Sequence, residues 1–356
     1  MKKFLCLSLI PLLILFTFFG CVVSTDQPSI TESDLNENEL NIYTAMEDEQ
    51  LENYLSEFRS LYPNVKISIT RDTTGVITSK LLAEKENPKA DLIWGLSAIS
   101  LLSLDQQNIL EPFSPEGVDR VLPEFKDSAN PPKWVGIDAW EAAFLVNKEV
   151  LASNNIADIP TSYYDLLDPK YKGLIAMSNP SSSGTAFITV SGILQLMGEE
   201  KGWDYLTKLN ENVAVYSYSG DAPAKLAETG EYGIGFSYGY RCIKSVEKTG
   251  TNIAQAVFPK EGSGWDLEAN ALIKKDHIKD ISKTFLSWAI NDNCMDKYSK
   301  NYPMVTINKL GTLPEGYPSN PVEQLVKQDL SWSASNRERI LNEWNRRFSS
   351  KAEEKN

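Results

Sequence analysis

The stretch LNIYTAMEDEQLENYLSEFRSLYPNVKISIT, residues 40–70, sets the architecture. Residues 40–44 read as a short strand. Residues 47–61 place Leu51, Tyr54, Leu55, Phe58 and Leu61 on one helical face, and Pro63 ends that helix. Residues 65–69 alternate apolar and polar as a second strand does. The pattern then continues outward. Thr73-Thr74-Gly75 leads into a helix bearing Val76, Leu81 and Leu82, residues 91–94 form a buried strand, and a helix runs from Leu96 to Leu104. Strands alternating with helices predict an α/β fold with a mostly parallel sheet.

Trp134 to Asn147 breaks the alternation with a long extended segment. The pattern restarts with a strand at 174–177, and Ser181-Ser182-Ser183-Gly184-Thr185 opens a helix through Met197. Strands follow at 214–216, 234–236 and 254–258, with helices at 220–228 and 238–248. Residues 265–273 are extended again, and helices are expected at 278–290, 321–334 and 335–349. Two α/β units joined by two extended crossings predict two lobes with a hinge, and a ligand cleft between them. The boundaries read as 39–137 plus 268–310 for lobe 1 and 138–267 for lobe 2, with 311–356 as C-terminal helices packing on both.

The 356 residues carry a formal charge of −13, which disfavours nucleic acid as a partner. Lys2-Lys3 followed by an apolar run to Phe19 reads as a signal peptide over residues 1–20. Phe18-Phe19-Gly20-Cys21 is similar to a lipobox, with Cys21 as the lipidated residue, although an ordinary signal peptide is the alternative. Residues 21–38 then form a flexible tether. The body is expected to be extracytoplasmic, lipid-anchored to the membrane and monomeric. Cys242 and Cys294 have no metal or redox spacing, and pairing between them stays open.

Ligand contacts belong at strand-to-helix turns, where free amides and a partial positive charge of about half a unit meet an anion. Three turns combine hydroxyls, a glycine and a helix start: Asp72 to Gly75, Ser181 to Thr185, and Ser217 to Gly220, including Ser219. Each also fits a plain N-cap. Thr44 ends the first strand beside them. Glu47, Asp138 and Asp266 are candidates to hold an ammonium group, and Trp94, Trp140 and Tyr238 to contact it by their ring faces. Arg241 is either an anion contact or a structural ion-pair partner. The single histidine, His277, sits among charged residues, and no Ser-His-Asp or HExxH arrangement can be built on it. A binding protein without a cofactor is expected, not an enzyme.

Motifs along residues 40–349 carry a resemblance. They include Tyr43 to Gln50, Arg71 to Gly75, Ala90 to Leu96, Asn130 to Gly136, Asn179 to Thr185, Gly262 to Ala269 and Asn336 to Leu341. Together they resemble the solute-binding proteins of iron(III)/phosphonate-type ABC importers, most of all the 2-aminoethylphosphonate-binding branch. That resemblance implies the type II two-lobed periplasmic-binding fold, a membrane permease as partner, and a small anionic or zwitterionic solute. It implies phosphonate contacts from Thr73, Thr74, Gly75 and Ser181 to Thr185, and amine contacts from Glu47, Asp138 or Asp266. A ferric-iron protein is the second reading, keeping Glu47, Tyr238 and Tyr240 as ligands. A hexose-phosphate binder is the third.

Overall fold

The computed structural model describes residues 37–353 apart from 308 and 310. The signal peptide, Cys21 and nearly all of the tether lie outside the described residues. Among the described residues, eleven strands make one mixed sheet. They are β1 (Glu39–Thr44), β2 (Lys66–Arg71), β3 (Leu92–Ser97), β4 (Leu110–Glu111), β5 (Val135–Asn147), β6 (Ile175–Ser178), β7 (Val213–Ser217), β8 (Ile234–Tyr238), β9 (Ala254–Val257), β10 (Trp265–Ile273) and β11 (Met304–Val305). The order along the sheet is β2-β1-β3-β10-β5-β8-β6-β7.

The first lobe takes β2-β1-β3 in parallel, and the second takes β7-β6-β8 in parallel. Antiparallel β10 and β5 stand between them. Each crossover is thus a strand–helix–strand unit, as the alternating sequence demands. The 13-residue β5 pairs with β10 through Glu141 and with β8 from Ala142 onward. β5 therefore changes partner at Glu141–Ala142. All of β5 is buried, which explains why its sequence shows neither helical nor simple alternating period.

Separate apolar cores stabilise the two halves. Trp94, Tyr54, Phe58, Phe285 and Trp288 anchor one, while Phe144, Tyr163, Phe187, Leu206 and Trp344 anchor the other. Trp94 stacks edge-on to Phe285 at 5.3 Å and donates from Nε1 to the Tyr298 hydroxyl at 3.1 Å. Cys242 and Cys294 are free and sit in different clusters, so they do not pair.

Two expected helices divide. The segment 278–290 becomes Asp280–Trp288, and Asn291 starts a second helix, Asp292–Tyr298, by accepting from the Cys294 amide. The segment 321–334 becomes Pro321–Gln324 and Leu330–Ser335. Between them the chain is pulled into bridge pairing, with the Val326 amide donating to Ser263 O at 2.9 Å. Asp329 then caps the new start, accepting from the Ser331 and Trp332 amides. Among the described residues no helix is long and apolar enough to cross a membrane.

Candidate functional site

The ends of β1, β2, β3, β6, β7 and β8 point at one cleft, where open-sheet ligands are expected. Its empty space, mouth included, is about 570 Å³. From the first lobe come Ala45, Glu47, Arg71, Thr73, Thr74, Gly95 and Ser97. From the second come Ser183, Gly184, Thr185, Ser219, Gly220, Asp221 and Tyr238. Trp140, Glu268 and Tyr302 form the hinge side.

Two helix N-termini from opposite lobes face each other. Thr73 is the N-cap of the helix Thr74–Ala83, yet its side chain makes no capping bond. Its Oγ1 is buried without a hydrogen-bond partner, and the residue is only 9% exposed. A plain capping role therefore does not account for it. Ser183 does cap the helix Gly184–Met197, accepting from the Ala186 amide at 3.2 Å. The first-turn amides of Gly184 and Thr185 have no acceptor within their own helix.

Glycine is required where these turns meet. The Gly75 amide donates to Ser182 O at 2.8 Å. A Cβ on Gly75 would lie 2.2 Å from Ser181 O, and one on Gly184 would lie 2.7 Å from Thr74 Oγ1. The third turn is occupied differently. Ser219 Oγ donates to Asp221 Oδ1 at 2.5 Å, and Lys225 pairs with the same carboxylate. Burial raises the Asp221 carboxyl, but the Lys225 and Ser219 hydrogen bonds outweigh it and leave it below the usual range. This turn thus presents a negative charge beside the two hydroxyl-rich ones.

Glu47 is fixed by both lobes. Arg71 Nη2 reaches its Oε2 at 2.5 Å, and the Tyr238 hydroxyl donates to its Oε1 at 2.8 Å. Burial, and then the Asp221 charge, push the Glu47 carboxyl upward. Burial likewise raises the Tyr238 phenol. Trp140 packs edge-on to Tyr238 at 6.2 Å, and its Nε1 has no partner.

Ten of the residues singled out from sequence reach the lining: Glu47, Thr73, Thr74, Trp140, Ser183, Gly184, Thr185, Ser219, Gly220 and Tyr238. Others stand behind it. Thr44 is fully buried and holds the Met46 amide through Oγ1 at 3.1 Å. Gly75 and Ser182 form the contact between lobes, and Ser182 Oγ donates to Tyr218 O at 2.6 Å. Ser181 Oγ donates to Asn345 Oδ1 at 3.2 Å. Trp94 is core, because its position on β3 faces the helices of its own lobe.

Asp138 and Asp266 are fully buried in the hinge strands rather than on the lining. Asp266 accepts from Ser97 Oγ and from the Leu267 amide. Arg241 is a structural partner, with Nη2 at 2.8 Å from Glu228 Oε2. Tyr240 lies outside the lining and packs on Tyr302 at 5.5 Å. Among the described residues no group of three His, Cys, Asp or Glu side chains gathers to hold a metal ion.

Arg71, Ser97, Asp221, Glu268 and Tyr302 line the cleft without having been singled out for it. Arg71 and Asp221 directly flank chosen turns, so adjacency was the available signal. Glu268 and Tyr302 arrive through strand register and the return of the chain after Tyr298, which sequence spacing does not encode.

The geometry has counterparts. A family model described as bacterial extracellular solute-binding protein matches residues 87–323. An uncharacterized protein of Haemophilus influenzae is 28% identical over 294 residues, covering 79% of this chain and 82% of the relative. The periplasmic binding protein AfuA of Actinobacillus pleuropneumoniae was solved with exogenous fructose-6-phosphate bound. It is 28% identical with a TM-score of 0.80, over 87% of this chain and 98% of that one. Iron-bound HitA of Pseudomonas aeruginosa shares the fold, at 18% identity and a TM-score of 0.72 over 86% and 98% of the two chains.

Proposed function

This chain belongs to the bacterial extracellular solute-binding proteins, and from that premise we propose that it captures a small phosphonate- or phosphate-bearing solute, such as 2-aminoethylphosphonate, by lobe closure. Its coarse role is solute capture outside the cytoplasm for an ABC importer, with a membrane permease as partner. Its matched family and structural neighbours are binding proteins rather than enzymes.

One observation carries the anion reading. Thr73 Oγ1 is a buried, unpartnered hydroxyl at the mouth of a ten-residue helix, opposite the first turn of the 14-residue helix Gly184–Met197. Two helix starts supply free amides and partial positive charge to one point. The hydroxyls of Thr73, Thr74 and Thr185 add donors there. A tetrahedral oxyanion accepts several such bonds at once, and in doing so ties one lobe to the other. We further propose that Cys21 carries a lipid that tethers the protein, as a monomer, to the membrane.

Hexose phosphate is a second reading, favoured by the likeness to AfuA, whose structure holds fructose-6-phosphate. It uses the same anion pole and differs in what the other pole must hold. Ferric iron has less support, since Glu47 is already engaged by Arg71 and Tyr240 lies off the lining. Calorimetry with 2-aminoethylphosphonate, fructose 6-phosphate and ferric citrate ranks the three. Heat from a phosphonate or phosphate ester that falls about tenfold or more in affinity on Thr73→Val supports the anion pole, a loss set by one charge-assisted hydrogen bond. Heat from ferric citrate alone would refute it.

A further inference from the structure

Three carboxylates face the cleft, and two bring their own cation. Arg71 holds Glu47, and Lys225 holds Asp221. Glu268 pairs with no cation among the described residues, and the Tyr302 hydroxyl beside it lowers its carboxyl only in part. Its Oε2 is buried without a hydrogen-bond partner. The residue beside it across the strands, Asp138, supplies no counter-charge either, being fully buried with both oxygens unpartnered. A desolvated carboxylate lacking a cation is unfavourable until a proton or a positive group reaches it.

The surroundings of Glu268 suit a positive group. Trp140, Tyr238 and Tyr302 line the same hinge side of the cleft. Ring faces attract an ammonium, and more strongly when it is shielded from water. Independently, the nine-tenths-buried Trp140 leaves Nε1 unpartnered in the same cleft. The cleft is therefore asymmetric, with helix-start amides and hydroxyls at the lobe turns and an idle carboxylate oxygen, beside the idle Trp140 N–H, at the hinge.

We propose that Glu268 is the receptor for a primary ammonium on the solute, so that the captured molecule is a zwitterion lying between the Thr73–Gly184 turns and β10. This rests on the anion reading above and narrows it to aminoalkyl phosphonates or phosphates. Burial, and then the Glu47 charge, hold the Glu268 carboxyl above its ordinary range while the cleft is empty. An arriving ammonium favours the ionised form, so capture near neutral pH releases a proton.

The test is calorimetry on the full chain with 2-aminoethylphosphonate, ethylphosphonate and fructose 6-phosphate, each in two buffers of different ionisation enthalpy. Wild type is expected to prefer the aminophosphonate over ethylphosphonate by about tenfold or more, the scale of one hydrogen bond to a charged group. Proton release with the aminophosphonate should fall on Glu268→Gln, whereas any release with ethylphosphonate comes from its own second ionisation and should not change. Glu268→Gln should erase the preference between the two phosphonates, with the melting temperature of the unliganded variant as the control for folding. Equal wild-type affinities for the two phosphonates, or a preference that survives Glu268→Gln, overturns the Glu268 assignment and leaves the anion reading standing. So does binding of fructose 6-phosphate alone. No heat from any of the three removes both. The wild-type affinity comparison needs no variant, so it decides the matter even if Glu268→Gln does not fold.

Discussion

At the residue scale, function turns on which polar atoms stay idle after folding. Thr73, Ser183 and Ser219 look alike in sequence, each a hydroxyl beside a glycine and a helix start. Folding separates them. Ser183 caps its helix, Ser219 is taken by Asp221, and Thr73 keeps a free hydroxyl. The turns were legible because hydroxyl, glycine and helix start are local features. The distribution of hydrogen bonds among them was not, because it depends on what the other lobe brings. Gly75 makes the sharpest residue-level prediction. Its Cβ position lies 2.2 Å from Ser181 O and 2.7 Å from Ser182 O, both on the opposite lobe. Gly75→Ala should therefore leave the fold of each lobe intact, since alanine is a better helix former than glycine, and yet hold the lobes apart. Solute affinity should fall by about tenfold or more. Small-angle scattering should show no compaction on adding solute. Unchanged affinity would remove the Gly75–Ser182 contact from the closing motion.

At the scale of elements, the hinge strands β5 and β10 concentrate buried acid. Both were recognisable as extended crossings because neither carries a helical period. Their partner change at Glu141–Ala142 was not, since register emerges only when both sheets are present. The same gap led sequence reasoning to Asp138 and Asp266 rather than Glu268. The three share one face across the paired strands, and of them Glu268 lines the cleft. Burial raises the Asp266 carboxyl to about 7 against the bonds from Ser97 and Leu267, and raises Glu141 to about 7 against its bond from Tyr317. Both folded values lie above those of the unfolded chain. Between about pH 4.5 and 7 the folded state thus holds protons that the unfolded state releases. These groups favour folding on the acid side of that window, and their contribution is lost as pH rises through 7. Asp266→Asn should flatten this part of the profile. Urea unfolding of wild type and variant between pH 5 and 8 measures it. A stability difference between the two proteins that does not change across that range would contradict the buried-acid account.

For the whole molecule, closure is a balance between lobe-to-lobe bonds and the freedom of the open form. Besides Gly75–Ser182, the Tyr218 hydroxyl reaches Asp72 Oδ1 at 3.0 Å and the Tyr238 hydroxyl reaches Glu47 at 2.8 Å across the cleft. A ligand shifts such an equilibrium only by its differential affinity for the closed state, and apparent affinity scales with the closed fraction. Tyr238 lines the cleft, so changing it alters ligand contact and closure together. Tyr218 is not on the lining, which makes it the cleaner probe. One hydrogen bond contributes about 0.5–1.5 kcal/mol net. Tyr218→Phe should thus weaken apparent affinity by about two- to tenfold for every solute alike. The loss should fall mainly on dissociation, because the bond forms only after the lobes meet. Stopped-flow dissociation rates, with melting temperature of the unliganded protein as the control for folding, separate this from damage to the second lobe. A variant with a lower melting temperature and an unaltered dissociation rate would make Tyr218 a packing residue and leave closure to the solute itself.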